Sequence, residues 1–176
     1  RVIGPFSMVP GTASATRLKR APVGAARFVE LVRGDFWSHV PFFRVVPKFL
    51  VQFGIHTQDE ALARRWRHTP PIRDDPNRHV KFTTGVMSYA GSGPNSRSTH
   101  VFVAYCRHCS SLGRSPWETP FATVDAEGMR VLQGLYADYG DGPPWGKGPA
   151  QGRLNQKGAE AYLAKHFPKM DYLLGC

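Results

Sequence analysis

A mainly β fold in one domain with long loops is expected from three features of the sequence. The 176 residues include 15 Pro and 18 Gly, which require many turns. The run Pro41–Gly54, PFFRVVPKFLVQFG, is apolar, Pro or Gly at every position except Arg44, Lys48 and Gln52, as suits a pleated, half-buried strand. His100–Tyr105 alternates, with Val101, Val103 and Tyr105 on one side and His100, Phe102 and Ala104 on the other. A chain of this length can bury a full core, and 41% hydrophobic with 20% charged residues is a globular composition.

Residues 1–20 read as an irregular arm: Val2-Ile3 and Phe6–Val9 have short-strand character, and Gly4-Pro5 and Pro10-Gly11 break them. Ala21–Gly34 reads as a helix. Pro22 suits the first helical position and Gly34 the stop, with Val23, Ala26, Phe28 and Leu31 inward and Arg27, Glu30 and Arg33 in water. Within Pro41–Gly54, Pro47 has no N–H for a ladder and should split the run into two short strands. If the pleat survives the bend, Arg44, Leu50 and Gln52 share one face, and Phe43, Val45, Val51 and Phe53 the other. An arginine amid so much apolar surface needs a reason, since burying an unpaired charge is costly.

Residues 55–79 form a long polar loop around Trp66, with room for a short helix at Gln58–Trp66. Val80–Thr84 and Val86–Ala90 read as strand pieces about Gly85, and Gly91–Ser96 as a turn cluster. Cys106–Glu118 is loop and Pro120–Val124 a strand. Asp125 caps a helix reaching about Ala137, with Met129, Leu132, Leu135 and Tyr136 inward. The Pro/Gly-rich connection Gly140–Gly152 leads to a last helix, Asn155–His166, and a tail from Lys169.

Net charge is +10, from 23 Lys and Arg against 13 Asp and Glu. That suits an acidic partner or simply a solvated basic surface. Arg64, Arg65, Arg67 and His68 around Trp66 are better explained as a solvated loop with an anchoring Trp than as a contact with nucleic acid or another protein, and no nucleic-acid recognition motif accompanies the charge. No apolar run approaches the roughly 20 residues of a membrane span. Three cysteines argue against a disulfide framework. Cys106 and Cys109 form a C-x-x-C that reads as two loop thiols or an optional local disulfide. A zinc site would need His68, His100 or Cys176 as further ligands, and no second pair has metal spacing. The chain starts at Arg1, which raises the expectation of a removed targeting peptide and of an organelle or secretory compartment over the cytosol.

Five motifs in order carry a resemblance. Ala21–Phe28 is similar to an A-P-x-x-x-x-x-F helix and Phe43–Gly54 to F-H-R-V-I-P-x-F-x-x-Q-G-G. Gly85–Ser96 is similar to G-x-L-S-M-A-x-x-G-P-N-T, His100–Val103 to Q-F-F-I, and Gly128–Leu132 to G-M-x-V-V. Together they resemble the cyclophilins, the family of peptidyl-prolyl cis–trans isomerases. The wording of 43–54 and the tail from Gly152 to Tyr172 are similar to a bacterial-type branch.

The resemblance implies an eight-stranded antiparallel β-barrel capped by helices. The division would be an N-terminal arm at 1–20, a cyclophilin-like domain at 21–152 and a C-terminal helical extension at 153–176. It also implies a role for the arginine. A guanidinium that hydrogen-bonds the pyramidal nitrogen of a twisted X–Pro bond stabilises that state over the planar one. Arg44 is therefore the expected catalytic residue, without metal or cofactor. Phe49, Leu50, Phe102 and Leu112 would form the proline pocket, Gln52 would hold the substrate carbonyl, and Ala90 would line the floor. His100 stands where the family has a groove Gln and Phe43 where it has His. Ser111 takes the place of a rim Trp, and Trp117 or Glu118 lies near the place of a rim His. The expected partners are proline-containing polypeptides. The alternative is a weakly active or inactive subunit held in a larger assembly by its basic surface.

Overall fold

The structure, a computed structural model, describes residues 2–3, 21–76 and 80–175. Most of the expected arm, residues 4–20, lies outside the described residues, as does Cys176. In chain order the elements are β1 (Val2–Ile3), α1 (Pro22–Arg33), β2 (Val40–Pro41), β3 (Arg44–Val46), β4 (Leu50–Phe53) and α2 (Glu60–His68). They continue with β5 (Val86–Tyr89), β6 (Val101–Ala104), β7 (Ala122–Thr123), α3 (Ala126–Gln133), α4 (Gln151–Leu154), α5 (Ala159–His166) and β8 (Tyr172–Leu173). No helix among the described residues is long and apolar enough to cross a membrane.

Pro47 divides its run as expected: β3 ends at Val46, the chain turns through Lys48 at φ +62°, and β4 returns antiparallel. The resulting five-stranded sheet has the order β3-β4-β6-β5-β7, with every pair antiparallel. Its register fixes the faces. Val45 lies opposite Val51, Val51 opposite Val103 and Val103 opposite Met87. These join Phe28, Leu31, Trp37, Phe53 and Leu132 in the main core beneath α1 and α3. Arg44 lies opposite Gln52, and Gln52 opposite Phe102, on the other face.

The second sheet has the order β1-β8-β2, β8 being antiparallel to β2 and parallel to β1. The two sheets do not close into the expected eight-stranded barrel. The five-stranded ladder stops at β3 and β7, and several strands are only two residues long. Pro41 offers no N–H and ends β2 on an edge, and Phe42 and Phe43 separate it from β3. Phe43 consequently leaves the pleat and packs with Ile55, Leu154, Leu163, Phe167 and Met170, tying the C-terminal helices to the domain.

Other elements depart from expectation for local reasons. In α1 the buried side is Gly24, Arg27, Phe28 and Leu31, whereas Val23 and Ala26 are exposed. Arg27 is buried because its guanidinium lies 5.6 Å from the Trp66 ring and donates to Glu30 and to the Pro70 carbonyl. The helix at 58–66 begins two residues later, at Glu60, because Asp59 caps it by accepting from the Leu62 N–H. Val80–Thr84 is not a strand and contributes one bridge, Phe82 to Cys109. The helix after Asp125 stops at Gln133, before Gly134, and α5 begins only at Ala159, after Gly158 at φ +80°.

One buried ion pair gathers several segments. Ala21 gives α1 no side-chain cap. Instead Asp75, 52 residues away in sequence from Val23, accepts from the Val23 N–H at 2.9 Å and the Gly24 N–H at 2.8 Å. Arg97, completely buried, donates to Asp75 at 2.9 Å and to the Arg73 carbonyl, and lies 3.3 Å from Asp74. Thr119 donates to the Asp75 carbonyl and Tyr89 to the Gly24 carbonyl, each at 3.2 Å. Replacing Asp75 with Ala leaves two helix N–H groups without their acceptor and the buried guanidinium with only Asp74 and the Arg73 carbonyl among the described residues. It should cost about 3–5 kcal/mol in guanidinium denaturation. Asp75→Asn, which keeps one acceptor oxygen, should cost less; a Asp75→Ala midpoint equal to wild type would show that the pair does not hold these segments.

Candidate active site

The face of the five-stranded sheet opposite the main core brings Arg44, Phe49, Gln52 and Phe102 together. Arg44, the first residue of β3, is half-buried there. Its Nη1 donates to Gln52 Oε1 at 3.1 Å, across the β3–β4 ladder. Its guanidinium lies 5.6 Å from the ring of Phe49, which the hairpin turn presents. Gln52 faces Phe102 on β6, and Phe102 belongs to an apolar cluster with Leu50, Phe82, Val86, Ala104 and Leu112. Phe49 and Ala90 pack at the edge of that cluster, partly open. Leu50 and Phe102 are only 3% and 2% exposed, so both underlie the cluster more than they line a surface. The loop residue Leu112 closes it, beside a cavity of about 450 Å³ also lined by Phe82, Lys81 and Cys109.

His100 stands just before β6. Its carbonyl accepts from the Ala90 N–H at 3.0 Å, and its ring meets Phe43 edge-on at 6.1 Å. Burial lowers its pKa to about 4, so the imidazole is neutral near pH 7. Burial likewise raises the Tyr105 hydroxyl, which donates to the Leu132 carbonyl at 2.6 Å, and the Glu118 carboxyl, against the lowering effect of the Gly113 N–H. Of the two residues near the expected rim position, Glu118 is turned to Gly113, accepting its N–H at 2.7 Å. Trp117 lies against Gly91, where a Cβ would come within 2.7 Å of Trp117 Cδ1. Cys106 and Cys109 form a disulfide, with Cα atoms 5.3 Å apart, packed against the apolar cluster. Among the described residues no group of three or more His, Cys, Asp or Glu is arranged to hold a metal ion.

Sequence reasoning missed Asp141. Its carboxylate takes Arg44 Nε on one oxygen and Nη2 on the other, both at 2.7 Å, across 97 residues of sequence. Both side chains are 22% exposed, and such a two-pronged pair is strong and directional. The loop that carries Asp141 coils tightly around it. Gly148 N–H donates to the Asp141 carbonyl at 2.8 Å, and a Cβ on Gly146 would fall 2.2 Å from that same oxygen. Trp145, 83% exposed, projects from the loop. The spacing Gly140-Asp141-Gly142 followed by Gly146 and Gly148 was the available signal, but glycine spacing does not say which distant side chain the carboxylate meets.

The family model of the cyclophilin type peptidyl-prolyl cis-trans isomerases matches residues 17–146. The "peptidyl-prolyl cis-trans isomerase-like 1" of Aspergillus niger is 30% identical over 118 residues, 64% of this chain and 67% of that one. The "peptidyl-prolyl cis-trans isomerase CYP18-2" of Arabidopsis thaliana is 30% identical over 118 residues, 66% of this chain and 69% of that one. These relatives, one fungal and one from a plant, do not place the chain in the bacterial-type branch. In structure, a cyclophilin type peptidyl-prolyl cis-trans isomerase of Cryptosporidium parvum, crystallised in the presence of the dipeptide Ala-Pro, superposes with a TM-score of 0.54. It is 18% identical, over 72% of this chain and 81% of that one, a likeness of fold. With the family's model matched across most of this chain and a relative 30% identical over two thirds of its own length, the chain belongs to the cyclophilin-type peptidyl-prolyl cis-trans isomerases.

Proposed function

We propose that the protein accelerates cis–trans isomerisation of X–Pro bonds in polypeptides, with Arg44 as the donor to the twisted bond. The observation that carries this reading is the position of Arg44, 5.6 Å from the partly open Phe49 ring and bonded to Gln52, which faces Phe102 and its apolar cluster. An X–Pro bond has a rotation barrier of about 18–20 kcal/mol because its nitrogen is conjugated. Twisting localises a lone pair on that nitrogen. A guanidinium has five N–H donors. Among the described residues two go to Asp141 and one to Gln52, which leaves one N–H on each terminal nitrogen. Such a donor binds the twisted nitrogen better than the planar one and so lowers the barrier without forming a covalent bond.

The other groups suit holding the substrate still. Gln52 uses its oxygen on Arg44, which leaves its Nε2 amide to donate to a substrate carbonyl. The partly open Phe49 and Ala90, backed by the buried Leu50, Phe102 and Leu112, suit a proline ring, and the His100 carbonyl is bonded to the Ala90 N–H beside them. His100 supplies a neutral hydrogen-bonding group there, since its protonated form is disfavoured by burial. The wording of 43–54 and of the tail supports the bacterial-type branch. A second reading, a binding subunit within an assembly, draws on the exposed basic face of α2 formed by Arg64, Arg65, Arg67 and His68. Native purification at moderate salt tests it: co-purifying protein supports that reading, and a lone monomer counts against it.

A protease-coupled assay on an Ala-Pro peptide tests the isomerase directly. Wild type should exceed the uncatalysed rate, and Arg44→Ala should lower kcat/KM by about 100- to 1,000-fold. Arg44→Lys should recover little, because a lysine keeps the charge but not the planar fork. Equal rates for wild type and Arg44→Ala would sink the assignment.

The same chemistry predicts little pH dependence of the rate. No proton is transferred, and with its pKa near 4 His100 keeps one state from about pH 6 to 9. Stability behaves differently. An unfolded imidazole titrates near 6.5, so the contribution of His100 is intact above that value and is lost as pH falls towards 4. His100→Gln should therefore flatten the loss of stability between about pH 6.5 and 4, as followed by urea titrations. An unaltered slope would show that His100 does not contribute to it.

A further inference from the structure

We infer that Asp141 is a positioning residue for Arg44, fixing the plane of the guanidinium so that its remaining N–H bonds hold one orientation. This rests on the reading of Arg44 as donor and adds how the donor is aimed. The carboxylate engages Nε and Nη2, the side of the planar fork, at 2.7 Å each. Gln52 takes Nη1 from the opposite strand at 3.1 Å. Three contacts on two fixed supports define the plane of a flat group.

Asp141 is itself held. Its Oδ1 also accepts the Gly142 N–H at 2.7 Å, so the carboxylate is anchored to its own loop. The loop closes through Gly148 N–H to the Asp141 carbonyl at 2.8 Å and Lys147 N–H to the Tyr139 carbonyl at 3.0 Å. At Gly146 a Cβ would stand 2.2 Å from the Asp141 oxygen and 2.6 Å from its nitrogen, so the loop packs on that peptide without slack. Tyr139 in turn meets Phe167 edge-on at 5.1 Å, and its hydroxyl accepts the Lys169 N–H. The support for Arg44 therefore extends from the site to the C-terminal helices.

A free arginine has many rotamers, and ordering it at the moment of reaction raises the barrier; a prearranged one has already lost that freedom. The alternative is that Asp141 competes with the substrate for Arg44. The bonding pattern favours positioning, because the carboxylate occupies the side of the fork and leaves an N–H on each terminal nitrogen.

The test compares wild type, Asp141→Ala, Asp141→Asn and Gly146→Ala in the full chain. It separates kcat from KM on an Ala-Pro peptide and follows the Arg44 Nε–H resonance by NMR. Asp141→Ala should lower kcat by about 10- to 100-fold with KM within about twofold. Asp141→Asn, which keeps one acceptor and the bond to Gly142, should fall between and carries the comparison if the alanine variant does not fold. Gly146→Ala, which leaves the carboxylate but displaces its peptide, should share the loss in kcat. The Arg44 signal should be distinct in wild type and merge with the solvent-exposed arginines in Asp141→Ala. A kcat at or above wild type in Asp141→Ala would overturn the inference in favour of competition, and an unchanged Arg44 resonance would overturn it outright. If wild type itself shows no acceleration, the isomerase reading falls. The resonance then decides alone: its loss in Asp141→Ala upholds the positioning of Arg44 and its persistence refutes it.

Discussion

The buried pair of Asp75 and Arg97 is the constraint on which the arrangement of the chain depends. A carboxylate placed against the first turn of α1 answers two N–H groups that the local sequence leaves uncapped, and its charge is balanced by a guanidinium with no exposure. Neither charge is tolerable alone in that position. The loop around 73–75, the loop that carries Arg97 and the start of α1 must therefore assemble together. Tyr89 at the end of β5 and Thr119 before β7 are bonded into the same knot, so the rim of the sheet is fixed by the event that seats the helix.

On that frame the site follows from strand register. Pro47 ends β3, the turn reverses the chain, and two residues on each strand later Arg44 meets Gln52. β6 then sets Phe102 opposite Gln52. A slip of one residue in any of these ladders would send the arginine into the main core and Val45 or Val51 outward. The apolar inner face, where Val51 and Val103 have no exposure, excludes that slip. The core thus specifies the placement of a polar group that it does not touch.

This much was legible in the sequence because alternation and a single proline are local signals. Alternation alone put Arg44, Leu50 and Gln52 on one face of Pro41–Gly54 and His100, Phe102 and Ala104 on one face of His100–Tyr105, and the resemblance to the family joined the two. What was not legible depends on contacts distant in sequence. Arg27 counted as a solvent residue by its charge, yet it is buried over Trp66, which a pattern confined to α1 cannot show. Phe43 fitted the strand pattern but lies outside β3 and joins the C-terminal helices. Val80–Thr84 had strand composition without a neighbouring strand to pair with beyond a single bridge. Barrel closure depends on which strands hydrogen-bond at the edges, and the short segments around Pro41 end the ladder. Asp141 was hidden most completely, since its role depends on a partner 97 residues away.

The loop that holds Asp141 also gives the protein an optical handle. Of its four tryptophans, Trp37 and Trp66 are 1% and 4% exposed and Trp117 is half-buried beside Gly91, whereas Trp145 is 83% exposed. Its indole is thus open to solvent and to collisional quenchers that reach the interior poorly. Trp145 N–H donates to the Gly142 carbonyl at 3.0 Å, which ties this fluorophore to the turn directly after Asp141. The most solvent-exposed indole of the protein therefore sits on this loop. A disturbance at Arg44 that reaches its carboxylate partner can be read there in the unlabelled protein.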